Sequence, residues 1–277
     1  MSQFAPDSLR IRDMRLRILP DARAVSLAAA EIIEAAIREA TAARGQAVLG
    51  LATGATPEGV YARLAERHAA DELSFRHVTT YNLDEYYPIS PVDPRSYRAY
   101  MHRHLFGRVD ITPNRAHLLD GSVPESAVAE HCAAFEGWIE SDGGLDLQLL
   151  GIGRNGHIGF NEPCGLSVDE ARRLRTRLVE LHPVTRADAR REFGSAEAVI
   201  PTALTLGVAT ILAARSILIL ATGAHKAEAV AAALTGPVTA HLPASLLQSV
   251  SPRVTWIVDQ AAASALPEAL AAASPIG

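Results

Sequence analysis

The chain has 277 residues, 48 % of them apolar and 21 % charged, with a formal net charge of −5. This composition is typical of a globular protein with a full core, and the length suits one large α/β domain. A negative chain without a Lys/Arg cluster is not expected to bind nucleic acid, and no apolar run reaches the roughly 18 residues of a membrane span.

The chain alternates short apolar runs with amphipathic or Ala-rich runs. Residues 1–13 show no period and are expected to form an N-terminal tail. The predicted elements are strand 15–19, helix 21–45, strand 47–52, helix 56–68, a strand that runs into a polar loop over 77–87, helix 93–106, helix 125–140, strand 145–153, helix 202–214, strand 216–223, helix 224–236 and strand 254–260. Alternating strands and helices predict a Rossmann-like, doubly wound α/β fold, with a mostly parallel sheet and helices on both faces.

Two cysteines, Cys132 and Cys164, form no CxxC pair, and the N-terminus lacks the apolar region of a secretory signal. We therefore expect reduced thiols, a cytoplasmic protein and no membrane partner. No linker or internal repeat interrupts 14–277, which we predict to be a single domain.

In open α/β sheets, ligands bind beyond the carboxyl ends of the strands, and four strands here end in unusual loops. The first loop reads TGATP and includes Gly54, Ala55 and Thr56. Glycine permits a close backbone approach, Thr56 is a good helix N-cap, and the N–H groups of a helix start suit a phosphate. A purely structural turn explains this loop equally well.

The second loop reads NLDEYY and places Asp84 beside Glu85. Adjacent side chains of an extended segment point in opposite directions. One carboxylate is therefore predicted to serve the site while the other pairs with an arginine or caps a helix. By itself, the motif is better explained as a solvated acidic turn.

The third loop, GIGRNGHIGFNEP, is the most specific stretch of the chain. His157 can move protons near neutral pH, and Glu162 is predicted to orient it. The fourth loop, in ATGAHKAEAV, puts Lys226 at a helix start, where a cation is unfavourable for the helix dipole unless it faces a bound anion.

Together these loops resemble the glucosamine-6-phosphate deaminase family. The resemblance runs from residue 14 to about residue 260 through LATGATPEGVYARL, FRHVTTYNLDEYY, DPRSYRAYMHRHLF, GIGRNGHIGFNEP and ALTLGVATILAA. It implies a Rossmann-like enzyme that converts glucosamine 6-phosphate and water to fructose 6-phosphate and ammonium, without a metal or organic cofactor.

The resemblance also implies residue roles. Asp84 matches the general base, His157 the residue that assists ring opening, and Glu162 the carboxylate that supports His157. The TGATP backbone, Lys226 and Arg191 match the phosphate cradle, with Arg190 as a possible substitute for Arg191. The stretch 164–195 corresponds to a mobile lid.

Asn155 departs from the members of the family that carry Asp there. An asparagine can still accept a hydrogen bond from an imidazole N–H, so we expect a family variant in which Glu162 matters more.

Three alternatives remain open at this stage. A 6-phosphogluconolactonase would share the fold, but its family lacks the FNEP and NLDEYY patterns. A deaminase for galactosamine 6-phosphate would differ only in the C4 epimer of its substrate. A catalytically dead sugar-phosphate sensor should have lost Asp84 or His157, and both are present.

The resemblance finally bears on regulation. Allosteric members form hexamers and bind N-acetylglucosamine 6-phosphate with an Arg and a Lys two residues apart. Here Arg177 matches the Arg, but Val179 replaces the Lys. We therefore expect a monomer or small homo-oligomer that this effector does not activate.

Overall fold

The strands form where the sequence carries short, continuous apolar runs. The structure, a computed structural model, describes residues 9–11, 13–195 and 197–271. Its strands are β1 (Leu9–Ile11), β2 (Met14–Leu19), β3 (Ala47–Leu51), β4 (Val78–Asn82), β5 (Asp84–Tyr87), β6 (Ala116–His117), β7 (Leu147–Gly151), β8 (Arg177–Glu180), β9 (Thr202–Thr205), β10 (Ser216–Ala221) and β11 (Val254–Asp259).

The main sheet has the spatial order β1-β2-β11-β10-β7-β3-β4-β6. β1 pairs antiparallel with β2, and all the other pairs are parallel. The predicted doubly wound, mostly parallel sheet is therefore confirmed. Strands β3, β4 and β11 are buried along their whole length, as expected for strands covered on both faces.

The helices connect these strands. They are α1 (Ala22–Arg44), α2 (Ala55–Ala69), α3 (Tyr97–His104), α4 (Val128–Ser141), α5 (Val168–Ala171), α6 (Pro183–Phe193), α7 (Val208–Ala213), α8 (Ala227–Thr235) and α9 (Glu268–Ala271). The chain runs from β2 through β3 to β4 and then returns through β7, β10 and β11. Because such crossovers are right-handed, α1 and α2 cover one face, and α4, α7 and α8 the other. Among the described helices, none is long and apolar enough to cross a membrane.

A second, three-stranded antiparallel sheet, not predicted from the sequence, has the order β5-β9-β8. It aligns Asp84 with Thr205, and Thr205 with Arg177. A small apolar cluster, which includes Tyr86 of β5 and Phe193 at the end of α6, lies beside the main core.

Several predicted boundaries are wrong. The proposed tail 1–13 contributes β1 to the sheet, where Leu9 pairs with Leu16; residues 1–8 and 12 lie outside the described residues. The predicted helix 202–214 is instead β9 followed by α7, because 202–205 pair with strands on both sides and so override local helix propensity.

Two predicted helix starts also differ. Gly54, rather than Thr56, is the N-cap of α2. Helix α3 starts at Tyr97 instead of at 93, because the side chain of Ser96 caps it and that of Asp93 closes a turn onto the N–H of Arg95.

Candidate active site

The four loops singled out in the sequence follow four neighbouring strands, β10, β7, β3 and β4. All four strands are parallel, so their loops leave the same edge of the sheet. β3 leads into α2 on one face, whereas β7 leads toward the opposite face. In open α/β sheets the ligand crevice forms where such connections diverge, so we expect it here between TGATP and the His157 loop.

The TGATP loop offers backbone N–H groups to this crevice. Gly54 has φ +96°, a conformation that other residues rarely adopt, and α2 begins directly after it at Ala55. The hydroxyl of Tyr100 on α3 donates to the carbonyl of Gly54 at 2.8 Å and fixes the turn. The first N–H groups of α2, including those of Ala55 and Thr56, lack partners within the helix and suit an anion.

Asp84 and Glu85 are both buried in β5, which contradicts a solvated turn. Glu85 accepts the backbone N–H groups of Tyr97 at 2.8 Å and Arg98 at 3.0 Å, at the start of α3. Burial raises the pKa of Glu85 to about 7, although these hydrogen bonds act in the opposite direction. The prediction that one of the two carboxylates caps a helix is confirmed, and strand alternation turns Asp84 the other way.

The third loop lies directly against Asp84. A Cβ placed on Gly159 would stand 3.5 Å from Oδ2 of Asp84. The N–H of Phe160 donates to Oγ1 of Thr205 at 3.0 Å, and Nδ2 of Asn161 donates to the carbonyl of Leu206 at 2.9 Å. These bonds fix the loop to the strand that pairs with Asp84.

Within this loop, His157 is linked to Glu162 through Asn155. Nδ1 of His157 lies 2.8 Å from Oδ1 of Asn155, and Nδ2 of Asn155 donates to Oε2 of Glu162 at 2.9 Å. The direct distance from Nδ1 to Oε2 is 3.5 Å. The sequence predicted that Glu162 orients His157 and that Asn155 can accept a hydrogen bond from the imidazole; in the structure the oxygen of Asn155 is the closer of the two acceptors.

This arrangement defines the imidazole tautomer. A carboxylate can only accept hydrogen bonds, so the amide of Asn155 must turn its NH₂ group toward Glu162. Its oxygen then faces His157, and Nδ1 carries the hydrogen. Nε2 of His157 is then the ring nitrogen that is left to exchange a proton with a ligand.

The electrostatic balance at Glu162 favours its charged form. Burial raises the pKa of this carboxyl, but hydrogen bonds from His157, Thr185 and Asn155 together hold it below its ordinary value. Gly153 makes room for the imidazole, since a Cβ there would approach the ring of His157 to 2.2 Å.

Lys226 ends a short 3₁₀ helix and precedes α8, as the sequence predicts. Burial lowers its pKa, and the charge of Asp188 acts in the opposite direction. Asp188 itself binds Arg154, with Nε contacts of 2.9 and 3.0 Å and an Nη2 contact of 2.7 Å. This pair joins the His157 loop to α6.

The predicted phosphate ligand Arg191 lies in α6, but its side chain is outside the described part of the structure. The side chain of its possible substitute, Arg190, is exposed. In the described ranges, no group of three or more His, Cys, Asp or Glu side chains has a metal-binding arrangement.

Sequence reasoning missed Thr185 and Thr205. Oγ1 of Thr185, on α6, lies 3.1 Å from Nδ1 of His157, and Thr205 holds the His157 loop. Thr205 stands in a run that was predicted as helical, and Thr185 in a polar stretch without a period. Neither position gives a local signal of its role.

The sequence of the chain is similar to that of a known protein family. Residues 20–256 match the profile of the glucosamine-6-phosphate isomerases/6-phosphogluconolactonase family. A glucosamine-6-phosphate deaminase of Rhodopirellula baltica is 47 % identical over 256 residues, which cover 92 % of this chain and 97 % of the relative. That of Halothermothrix orenii is 48 % identical over 219 residues, covering 79 % and 88 %.

Solved structures agree. A monomeric glucosamine-6-phosphate deaminase superposes with a TM-score of 0.83 at 42 % identity, covering 90 % of this chain and 99 % of that one. A 6-phosphogluconolactonase of Trypanosoma brucei, with a TM-score of 0.74, 19 % identity and coverage of 91 % and 98 %, shares the fold. The chain therefore belongs to the glucosamine-6-phosphate isomerase/6-phosphogluconolactonase family.

Proposed function

We propose that this enzyme converts glucosamine 6-phosphate and water to fructose 6-phosphate and ammonium. The observation that carries the proposal is the placement of Asp84, a buried carboxylate, under the His157 loop beside the crevice. Relatives that cover nearly the whole chain are glucosamine-6-phosphate deaminases, which supports the same reaction.

In the proposed binding mode, the phosphate lies at the N-terminus of α2, with Lys226 and Arg191 as its cations. The backbone N–H groups of Ala55 and Thr56 supply directed hydrogen bonds, and a cation supplies charge. The half-buried position of Lys226, where burial disfavours the charged form, is consistent with a lysine that meets an anion.

The proposed chemistry uses two proton-transfer groups. Nε2 of His157 takes the proton of the C1 hydroxyl and delivers it to the ring oxygen, so the bond between C1 and the ring oxygen breaks and the pyranose ring opens to the aldehyde. Asp84 then removes the C2 proton, while the C2 ammonium group passes one proton to the aldehyde oxygen, which gives an enolamine. Asp84 returns its proton to C1, leaving a hydroxymethyl group at C1 and an iminium at C2. Water adds to the iminium carbon, its two protons pass to the nitrogen, and the C2–N bond breaks to release ammonium and leave the ketose. Asn155 and Glu162 hold His157 in the required tautomer.

The test is product analysis. The purified enzyme is incubated with glucosamine 6-phosphate, with galactosamine 6-phosphate and, separately, with 6-phosphogluconolactone. Release of ammonium and fructose 6-phosphate from the first substrate is expected. Hydrolysis of the lactone without any deamination would contradict the proposal and indicate a lactonase. Faster reaction of galactosamine 6-phosphate would show that the preferred substrate has the other configuration at C4.

We further propose that 164–195 acts as a lid and that the enzyme is a cytoplasmic monomer or small homo-oligomer. Two free cysteines are consistent with a reducing compartment, and one structural relative is monomeric. By the family resemblance, Val179 stands where the allosteric members carry the lysine of their N-acetylglucosamine 6-phosphate pocket. Light scattering should give the molar mass of a monomer or small oligomer. Plots of rate against substrate concentration should be hyperbolic with and without that effector. A sigmoidal curve that becomes hyperbolic when the effector is added would overturn the proposal that the effector does not activate the enzyme.

A further inference from the structure

Thr185 lies where the segment 164–195 reaches the catalytic loop. The residue is buried, with 5 % of its surface exposed, in the first turns of α6. Its hydroxyl oxygen is 3.1 Å from Nδ1 of His157, and hydrogen bonding by this hydroxyl contributes to holding the pKa of Glu162 below its ordinary value. One side chain of this segment therefore touches both members of the His157–Glu162 pair.

The direction of these hydrogen bonds follows from the groups present. A hydroxyl has one proton, and a carboxylate can only accept, so Thr185 must donate to Glu162. Its oxygen then accepts from His157, which requires a hydrogen on Nδ1. This is the tautomer that Asn155 also selects, so the single Nδ1–H of His157 is shared between two bridges to the same carboxylate.

We propose that Thr185 is a positioning residue which holds His157 in the Nδ1–H tautomer, facing Glu162, while α6 is in place. The catalytic role given to Thr185 rests on the proposed function, whereas its contact with His157 is independent of that function. Because Thr185 comes from 164–195, movement of that segment would take one bridge away while the bridge through Asn155 remained.

Three further contacts keep α6 at this site. The N–H of His182, the N-cap of the helix, donates to Oε1 of Glu162 at 3.3 Å. Asp188 pairs with Arg154, and the ring of Phe193 packs against Tyr86 with centroids 4.9 Å apart. In the described part of the chain, the titratable and charged side chains near the relay include His182, the Arg154–Asp188 pair, and His225 and Lys226, whose charges interact with that pair.

Replacing Thr185 by valine removes the hydroxyl and keeps the shape, whereas serine keeps the hydroxyl. Thr185→Val should lower kcat about tenfold, as expected for one lost hydrogen bond to a charged group, with little change in KM. Loss of a donor should raise the pKa of Glu162, so the low-pH limb of the kcat profile should move to higher pH. Thr185→Ser should restore both values.

Thr176→Val is the matched control. Thr176 is also a buried threonine of this segment, and its hydroxyl donates to the carboxylate of Glu136 at 2.5 Å, away from His157. This variant loses an equivalent bond and should keep the wild-type pH profile. A Thr185→Val enzyme with wild-type kcat and pH profile would overturn the proposal, as would a loss that serine does not restore.

Nitrogen-15 NMR of the histidine rings adds a readout that needs no substrate. The wild-type ring of His157 should show a protonated Nδ1 and a free Nε2, and Thr185→Val should increase the fraction of the other tautomer. A wild-type ring protonated at Nε2 alone would overturn the inference. If the enzyme released no ammonium, the proposed function would fail while this measurement still tested Thr185.

Discussion

Replacing Asn155 by aspartate changes the charge of the relay without changing its shape. The new carboxylate oxygen would stand where Nδ2 now lies, 2.9 Å from Oε2 of Glu162, with no proton between them. Two unit charges at this separation repel by about 6 kcal/mol at an effective dielectric constant of about 20. This repulsion energy corresponds to a pKa shift of roughly four units. If relaxation of the structure removed half of the repulsion, a shift of about two units would remain.

The two carboxyls should therefore share one proton, and their upper apparent pKa should rise by about two units relative to that of Glu162 in the wild type. If catalysis needs Glu162 charged, the low-pH limb of the kcat profile should move up by one to two pH units. Ammonium release measured from pH 5 to 9 gives this profile. Asn114→Asp, which adds the same charge at an exposed position, should leave it unchanged. Superimposable profiles for Asn155→Asp and wild type would refute the reasoning.

Three other substitutions test separate parts of the structure. Asp84→Asn should lower kcat by about 10²–10⁴-fold, because it removes a base and keeps the shape; turnover within a few-fold of wild type would exclude Asp84 as the base. Lys226→Ala should mainly raise KM for glucosamine 6-phosphate, and an unchanged KM would show that the phosphate binds elsewhere. The pKa of Glu85 is about 7 in the folded state and has an ordinary value of 4.5. The protonated side chain therefore stabilises the folded state fully below pH 4.5, and this contribution is lost as the pH rises through 7. The stability advantage of wild type over Glu85→Gln in urea unfolding should therefore shrink by up to about 3 kcal/mol between pH 4.5 and 8, and an equal advantage at both would contradict the assignment.

The main sheet and the four site loops could be predicted because their signals are local. A parallel strand buried on both faces requires a continuous apolar run, as in 47–51 and 216–221. Loops at the carboxyl ends of such strands then meet at one edge. The different roles of Asp84 and Glu85 also follow from the alternation of side chains along an extended segment.

The second sheet could not be predicted in this way. β8 and β9 are four residues long, and their partners are distant in sequence, so pairing is decided by tertiary contacts. For the same reason, the sequence gives no sign that Thr185 reaches His157, 28 positions earlier. The contact of Asn155 with the imidazole could be predicted from the sequence, but its second hydrogen bond, to Glu162 seven positions later, could not, because no local pattern shows how this loop folds back.

The three-stranded sheet also has a consequence for how the chain can change length. Asp84, Thr205 and Arg177 form one row across β5, β9 and β8, so β8 and β9 hold the two ends of the segment that contains α6. Insertions between β8 and β9 can be accommodated without moving Asp84, because the row is fixed by pairing on both sides. A single insertion within β5 is different, because it would exchange the orientations of Asp84 and Glu85. We expect related chains to vary in length between β8 and β9, and to keep the residue count of β5.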